Sequence, residues 1–434
     1  MKIIILFLLI NFSFPCEDSI VTLTMQDSWG DGWNGNTFCL NSDCTTLLNG
    51  SSGTSEFCID LSIENQITCG GGNWQSEVYW SLSNPMGETI ATGGAPFEGC
   101  VGGTCEPEII QSLEFNHNGL MRDYFLYLPN SIEDNAPIVF LLHGYSGSAT
   151  GILNYSGMID VANENGFALC VPQGTSDGSG YNFWNVGYDF HQNQNVDDVD
   201  FIMSLAVHLQ EQHSLNPENT FVTGMSNGGD MSYMLACQTN NFFKAIAPVA
   251  GTMLESIFST CETSPIPVFE IHGSNDEVTL WDGDMQNNDG WGAYLSIPDI
   301  IDYWSGNNNC IDYENIFLPN SSLNDGSYII HRRYFDCLDN SEVWLYEVVD
   351  GEHDWPGAYG NMDIQSSQEI WNFFSQYIST SGDINNDDTI DVLDVVQLIN
   401  IILENNFIST GDLNQDQTNN VQDIIILINI ILNL

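Results

Sequence analysis

Three textures of apolar and polar positions succeed one another along the chain. Between residues 16 and 105, short runs such as VTLTM (21–25) and EVYWSL (77–82) alternate apolar and polar positions between Gly- and Cys-rich turn signals. A period of two marks half-buried strands, and it predicts a small disulfide-stapled β-sandwich. From about residue 106 to 380, uninterrupted apolar runs (IVFLL, ALCV, TFVT, PVFEIHG) alternate with longer helical stretches. Strands buried on both faces and separated by helices predict βαβ units and a mostly parallel sheet, an α/β domain. From 381 to 434 one unit occurs twice, GDINNDDTIDVLDVVQLINIIL from residue 382 and GDLNQDQTNNVQDIIILINIIL from residue 411. Each copy ends in an apolar run read as a helix, and two such helices can bury each other.

The chain begins MKIIILFLLINFSFPC, one Lys followed by an apolar run at 3–10. A bilayer span needs about 20 apolar residues. The run is too short for that and reads as a secretory signal peptide, residues 1–15, of an extracellular protein. Ser-Phe-Pro before Cys16 makes a poor lipidation box. The final run, IIILINIILNL, is also too short and is interrupted by Asn429 and Asn433. No membrane anchor is expected.

Composition narrows the partners. The 434 residues have room for two or three domains and carry 58 acidic side chains against 5 Lys plus Arg, a net charge of −53. Such a surface repels nucleic-acid phosphates and anionic lipid, which excludes both as partners. Charged residues still make up only 15%, below the roughly 25% of ordinary globular proteins. The acidity reads as a solvated exterior suited to salty water, and as calcium sites wherever Asp and Asn have ligand spacing. Twelve cysteines, none in a CxxC pair, favour disulfides in a secreted chain. Cys170, inside FALCV, is expected to be a buried free thiol.

The stretch QDSWGDGWNGN (26–36) interleaves Trp with Asp and Gly. It reads either as a sugar-stacking or calcium-binding loop, or as a tight turn whose indoles fill a small core; the packed turn takes precedence. It resembles a GDGWNG-type β module of secreted microbial proteins, which defines no ligand.

The candidate chemistry centres on FVTGMSNGGDMSYM (221–234). Residues 220–223 read as a buried strand, 224–228 as a sharp turn and 229–237 as a helix. That is a nucleophile elbow, in which small neighbours let the chain turn tightly and push the Ser226 hydroxyl out of the sheet edge. A serine needs a base and an orienting acid. Asp276 follows the strand-like PVFEIHG and His353 follows VWLYEVV, each just beyond a strand. Among the other histidines His143 and His191 also fall in site loops, and His272 is read as bracing the Asp276 loop. Asp354 and Asp282 compete for the acid role. The turn HGYSG (143–147) after the strand 138–142 offers the Tyr145 N–H as an oxyanion donor, to join that of Asn227. Trp184, Trp281 and Trp355 lie in candidate loops, where they either stack on a substrate or pack.

RDYFLYLP, FLLHGYSGSA, GFALCVPQG, NVDDVDFI, FVTGMSNGGDMSYMLAC, IAPVAG, PVFEIHGSNDEV and DGEHDWPG occur in this order over residues 121–376. Together they resemble the secreted esterases that include feruloyl esterases, acetylxylan esterases and short poly(3-hydroxybutyrate) depolymerases. The resemblance implies an α/β-hydrolase fold and a Ser-Asp-His carboxylic ester hydrolase, with the roles falling on Ser226, Asp276 and His353. Glu352-His353-Asp354 departs from the small or aromatic neighbours usual there. Feruloyl or acetyl esters of polysaccharide are the implied substrates; a polyhydroxyalkanoate or other small ester, or a non-catalytic surface-binding protein, are the alternatives. Within this domain Cys237–Cys261 and Cys310–Cys337 are expected to pair.

In the tail, Asp383, Asn385, Asp387, Asp391 and Asp394, and again Asp412, Asn414, Asp416, Asn420 and Asp423, occupy positions 1, 3, 5, 9 and 12 of an EF-hand-like loop, with the carbonyls of Thr389 and Thr418 at position 7. The duplication resembles a type I dockerin, which implies bound Ca²⁺ and a cohesin-like partner. Asp388 and Gln417 replace Gly at position 6. Val392-Leu393 and Val421-Gln422 replace the small hydroxyl residues of the partner-reading positions. A self-contained folding cap, or an adaptor to an unknown surface protein, is the alternative reading of the tail.

Overall fold

The computed structural model describes residues 19–27, 29–103, 110–385, 387, 389–414 and 418–432. The expected leader 1–15, Cys16, Cys105, Asp388, Asp416 and Gln417 lie outside them. The chain divides into two compact units, Met1–Ile110 and Gln111–Leu434.

In the first unit two four-stranded antiparallel sheets share one core. One sheet runs Ser52–Ile59, Ser19–Asp27, Val78–Ser83, Thr89–Gly93, and the other Asp43–Thr45, Thr37–Leu40, Asn65–Gly70, Phe97–Val101. Alternation in VTLTM sends Val21, Leu23 and Met25 inward to meet Phe38, Ile67 and Trp80. This is the expected sandwich. Cys39 and Cys44 form a disulfide, while Cys69 is a buried thiol.

The second unit is built on a ten-stranded mixed sheet. Six strands are parallel, in the order Val343–Val349, Val268–Gly273, Ala245–Val249, Thr220–Met225, Ile138–Leu142, Ala168–Pro172. Ile138–Leu142 and Thr220–Met225, in register from Ile138 opposite Thr220 to Leu142 opposite Gly224, are buried at every residue. Such strands require helices on both faces, which is why their sequence shows no alternation. Antiparallel pairs close each edge: Asp312–Phe317 with Tyr328–Phe335 at one end, Leu120–Tyr127 with Gln111–His117 at the other. Cys237–Cys261 and Cys310–Cys337 are bridged and Cys170 is buried and free, as expected.

Three of the quoted segments meet in one buried ion pair. Arg122 Nη2 donates to Asp198 Oδ1 at 2.8 Å and to the Gln173 carbonyl at 3.2 Å, with its guanidinium 3.8 Å from the Phe201 ring centroid. At the other end of the domain Ser379 is pinned to Asn219 by reciprocal bonds of 2.7 and 2.9 Å. Beyond that point helices Val392–Leu403 and Val421–Leu432 pack through Val395, Leu398 and Leu427. Among the described residues no helix is long and apolar enough to cross a membrane.

Candidate active site

Ser226, His143, Asp276 and His353 all follow the carboxyl ends of parallel strands, so their loops leave one rim of the sheet. The elbow is tighter than its sequence suggests. The strand runs on to Met225 and the helix begins at Asn227, leaving Ser226 alone at φ 56°, ψ −121°. Ser226 holds this strained conformation because its N–H donates to the Val249 carbonyl (2.8 Å) and its carbonyl accepts from Asp230 N (2.9 Å). Gly224 and Gly228 are needed for close approach: a Cβ on Gly224 would sit 2.6 Å from the Gly228 carbonyl carbon, and one on Gly228 would overlap the Leu142 carbonyl.

Asp276 Oδ2 lies 2.7 Å from His353 Nδ1, while its Oδ1 accepts the N–H groups of Val278 (2.7 Å) and Thr279 (2.8 Å). These backbone bonds aim the carboxylate at the imidazole. Asp354, the competing acid, turns its carboxyl against Gly360, and Asp282 is exposed. Among the described residues Ser226 Oγ makes no hydrogen bond, so the structure joins two members of the expected triad and brings the third to the same rim. Ligand-free sites commonly hold this contact open.

Behind the acid lies a layer that sequence reading only half found. His272 Nδ1 meets Glu270 Oε1 at 2.8 Å, and its Nε2 lies 2.9 Å from the Thr279 carbonyl and 3.5 Å from Asp276 Oδ2. Burial opposes charge on His272, but the bond and charge of Glu270, then the charge of Asp276, outweigh it and raise its pKa. Burial pushes Glu270 up to about 7. The two directions agree that the pair retains a proton.

On the other side of the serine, Gly144 faces the hydroxyl: a Cβ on it would lie 3.8 Å from Ser226 Oγ. Asn227 opens its helix, so its N–H has no intrahelical acceptor. His143 holds the Tyr145 turn. Its Nδ1 lies 2.8 Å from the Gly144 carbonyl, and its Nε2 lies 3.0 Å from both Gly174 N and Gln173 Nε2. Only the neutral ring with its proton on Nδ1 satisfies all three, and burial lowers the His143 pKa to about 4 in agreement. His191 serves elsewhere, 3.2 Å from Asp177, which also accepts from the Tyr145 hydroxyl at 2.7 Å.

Two of the three expected substrate tryptophans need correction. Trp184 and Trp355 are both 0% exposed and have no face open to a ligand. Trp184 is a brace: its indole N–H donates to the His143 carbonyl (2.9 Å), and its backbone is clamped by the Asn227 amide (2.7 and 3.0 Å). Trp355 packs on Tyr155. Trp281 is half-buried on the main core beside His272. The residues that line the cavity at Ser226 are instead Tyr188, Asp230, Leu254, Trp291 and Tyr294. The Trp291 ring lies 5.0, 5.2 and 5.5 Å from those of Tyr188, Phe190 and Tyr145, forming an aromatic wall. WGAY at 291–294 was the available signal. The cavity opens to solvent at Ser226, against this wall.

In the tail, the position-12 carboxylates are buried and already fold their loops. Asp394 accepts from Ile384 N (2.7 Å), Asn385 N (3.1 Å) and Asp391 N (2.8 Å). Asp423 repeats the pattern with Leu413 (3.0 Å), Asn414 (3.2 Å) and Asn420 (2.8 Å). Asp387 N donates to Asp383 Oδ1 (3.2 Å) and Thr389 N to Asp387 Oδ1 (3.0 Å), so the first loop is curled about its oxygens. An all-oxygen, carboxylate-rich donor set fits a hard cation such as Ca²⁺.

Residues 122–303 match the family Esterase PHB depolymerase, and residues 381–432 match the Dockerin type I domain. Feruloyl esterase D of Neurospora crassa is 26% identical over 282 residues, 62% of this chain and 86% of that one. A bifunctional acetylxylan esterase/xylanase of Neocallimastix patriciarum is 25% identical over 161 residues, 37% of this chain, and the match spans only 22% of that protein. A solved acetyl xylan esterase from Aspergillus awamori aligns with 61% of this chain and 99% of its own at 16% identity and a TM-score of 0.42.

Proposed function

We propose that this chain, whose central domain is by family a carboxylic ester hydrolase, is a secreted serine esterase that cleaves feruloyl or acetyl esters of polysaccharide. The contact between Asp276 and His353, 2.7 Å long at the same rim as Ser226, carries the reading. With Nδ1 committed to Asp276, His353 presents Nε2 to the serine. It takes the hydroxyl proton as Oγ attacks the ester carbonyl, and the oxyanion is received by the N–H groups of Tyr145 and Asn227. His353 passes the proton to the departing alcohol. It then deprotonates water, whose attack releases the acid and restores Ser226.

The aromatic wall at Trp291 supports an aromatic acyl group, and a tail of dockerin type supports work on polysaccharide. In that tail Asp383, Asn385, Asp387, Asp391, Asp394 and the Thr389 carbonyl would hold one Ca²⁺, and Asp412, Asn414, Asp416, Asn420, Asp423 and the Thr418 carbonyl a second. Bound calcium would supply charge neutralisation that rigidifies both loops. Val392, Leu393 and Val421 are exposed apolar residues at the partner-reading positions, which supports a cohesin-like protein partner with an apolar face.

The test is p-nitrophenyl acetate turnover, abolished by Ser226→Ala, followed by methyl ferulate, acetylated xylan and hydroxybutyrate oligomers. Hydrolysis of hydroxybutyrate alone would transfer the assignment to a polyester depolymerase. No turnover by the wild type would leave a binding protein.

A further inference from the structure

The loop at 26–36 gathers acid without any base. Asp27, Asp31 and Glu77 bring one carboxylate oxygen each to within 4.8 Å of one another. Asp27 is only 4% exposed. Its Oδ2 receives the N–H groups of Gly30, Asp31 (3.0 Å) and Gly32 (3.3 Å), while its Oδ1 is buried and without a partner among the described residues. A buried carboxylate oxygen left unpaired beside two more carboxylates is costly unless a cation answers it. The segment that builds this unit supplies none: residues 3–116 contain no Lys, Arg or His.

The arrangement is built in rather than a chance crowding of surface acids. Asn36 ties the loop to the segment that carries Glu77, donating to the Asn73 carbonyl (2.7 Å) and accepting from Gly72 N (2.9 Å). Trp33 anchors the loop from below, its indole N–H on the Gln26 carbonyl at 2.8 Å. The packed-turn reading therefore holds for Trp33. It does not hold for Trp29, which is 80% exposed; Trp74, outside that stretch and 69% exposed, precedes Glu77 by three residues.

We propose that Asp27, Asp31 and Glu77 form a calcium-class cation site in the N-terminal β unit, separate from the loops of the tail. Three hard carboxylates suit a cation that takes six to eight oxygens, with water and backbone carbonyls completing the shell. The ion neutralises the cluster and fastens the tryptophan-bearing loop to the Glu77 turn.

The experiment uses the full-length chain stripped with EDTA and titrated with Tb³⁺ under tryptophan excitation. The tail contains no Trp, whereas Trp29 and Trp74 flank the proposed site, so sensitised emission reports the latter. Asp27 organises backbone, so Asp31→Asn/Glu77→Gln is the chosen variant, with the exposed Glu56→Gln as control. The double variant is expected to lose at least tenfold in Tb³⁺ affinity and one Ca²⁺ equivalent by calorimetry, with ester turnover and circular dichroism unchanged. Emission and stoichiometry equal to wild type in that variant, or no sensitised emission from the wild type, would overturn the site.

Discussion

Gly273 ends its strand directly against the backbone of Glu352: a Cβ on the glycine would overlap the carbonyl oxygens of Glu352 and Gly351. The loop that carries the acid and the loop that carries the imidazole are therefore pressed together by main chain, before any side chain is considered. Gly273→Ala is expected to cost about 3 kcal/mol in urea unfolding, at the upper end of overpacking effects. Ester turnover should fall further than that loss alone predicts, because the Asp276–His353 contact is displaced. An alanine variant with native stability and turnover would show that the two loops move freely.

Asp276→Asn should lower kcat by about 10³–10⁴-fold with little change in KM, since the amide stabilises the wrong imidazole tautomer. His272→Gln, one step further back, should cost about tenfold and shift the acid limb of the kcat/KM pH profile. Loss of activity without any shift of that limb would make His272 a packing residue only.

His143 provides a pH test whose sign is fixed. Its folded pKa is lowered to about 4 by burial, against about 6.5 for a free histidine. Between those values the unfolded chain binds the proton and the folded one does not, so the residue's contribution is full above pH 6.5 and is lost as pH falls toward 4. The stability advantage of wild type over His143→Asn should shrink by about 2 kcal/mol between pH 7.5 and pH 5, read from urea midpoints at each pH.

Trp291→Ala should reduce kcat/KM for methyl ferulate by about tenfold, the worth of one aromatic contact, while leaving p-nitrophenyl acetate within about twofold. Trp184→Ala should instead destabilise the domain by about 3–5 kcal/mol, as a cavity beside the oxyanion turn.

Chelation with EGTA should leave turnover within about twofold, because no calcium is assigned to the catalytic rim, but should open the tail to proteolysis. Cleavage mapped between residues 381 and 434 by mass spectrometry checks this; protection unchanged by EGTA would mean that the tail folds without metal.

The parallel core and the elbow were legible because their signals are local: an apolar run, then Gly-x-Ser-x-Gly, then a helix. Asp276 and His353 stood out as candidates because each follows such a run. The edge pairs were not, since Asp312–Phe317 and Tyr328–Phe335 carry mixed polar sequences that show no buried period. Tryptophans misled for a related reason. An indole in a loop looks the same whether its ring faces a ligand or, like Trp184, is sunk behind the His143–Tyr145 turn. Glu77 ends the short 3-10 turn Gln75–Glu77, far along the chain from Asp27 and Asp31, so only folding shows that the three carboxylates come together.

Ser226, Asp276 and His353 sit on separate loops of one rim, while the aromatic wall draws Tyr188, Phe190 and Trp291 from two further excursions and only Tyr145 from the turn beside the serine. Apart from Tyr145, which serves both, diet and machinery would thus be encoded on different pieces of the chain. Breeding a new ester preference would be a matter of exchanging those two excursions, with the proton-handling loops left as inherited.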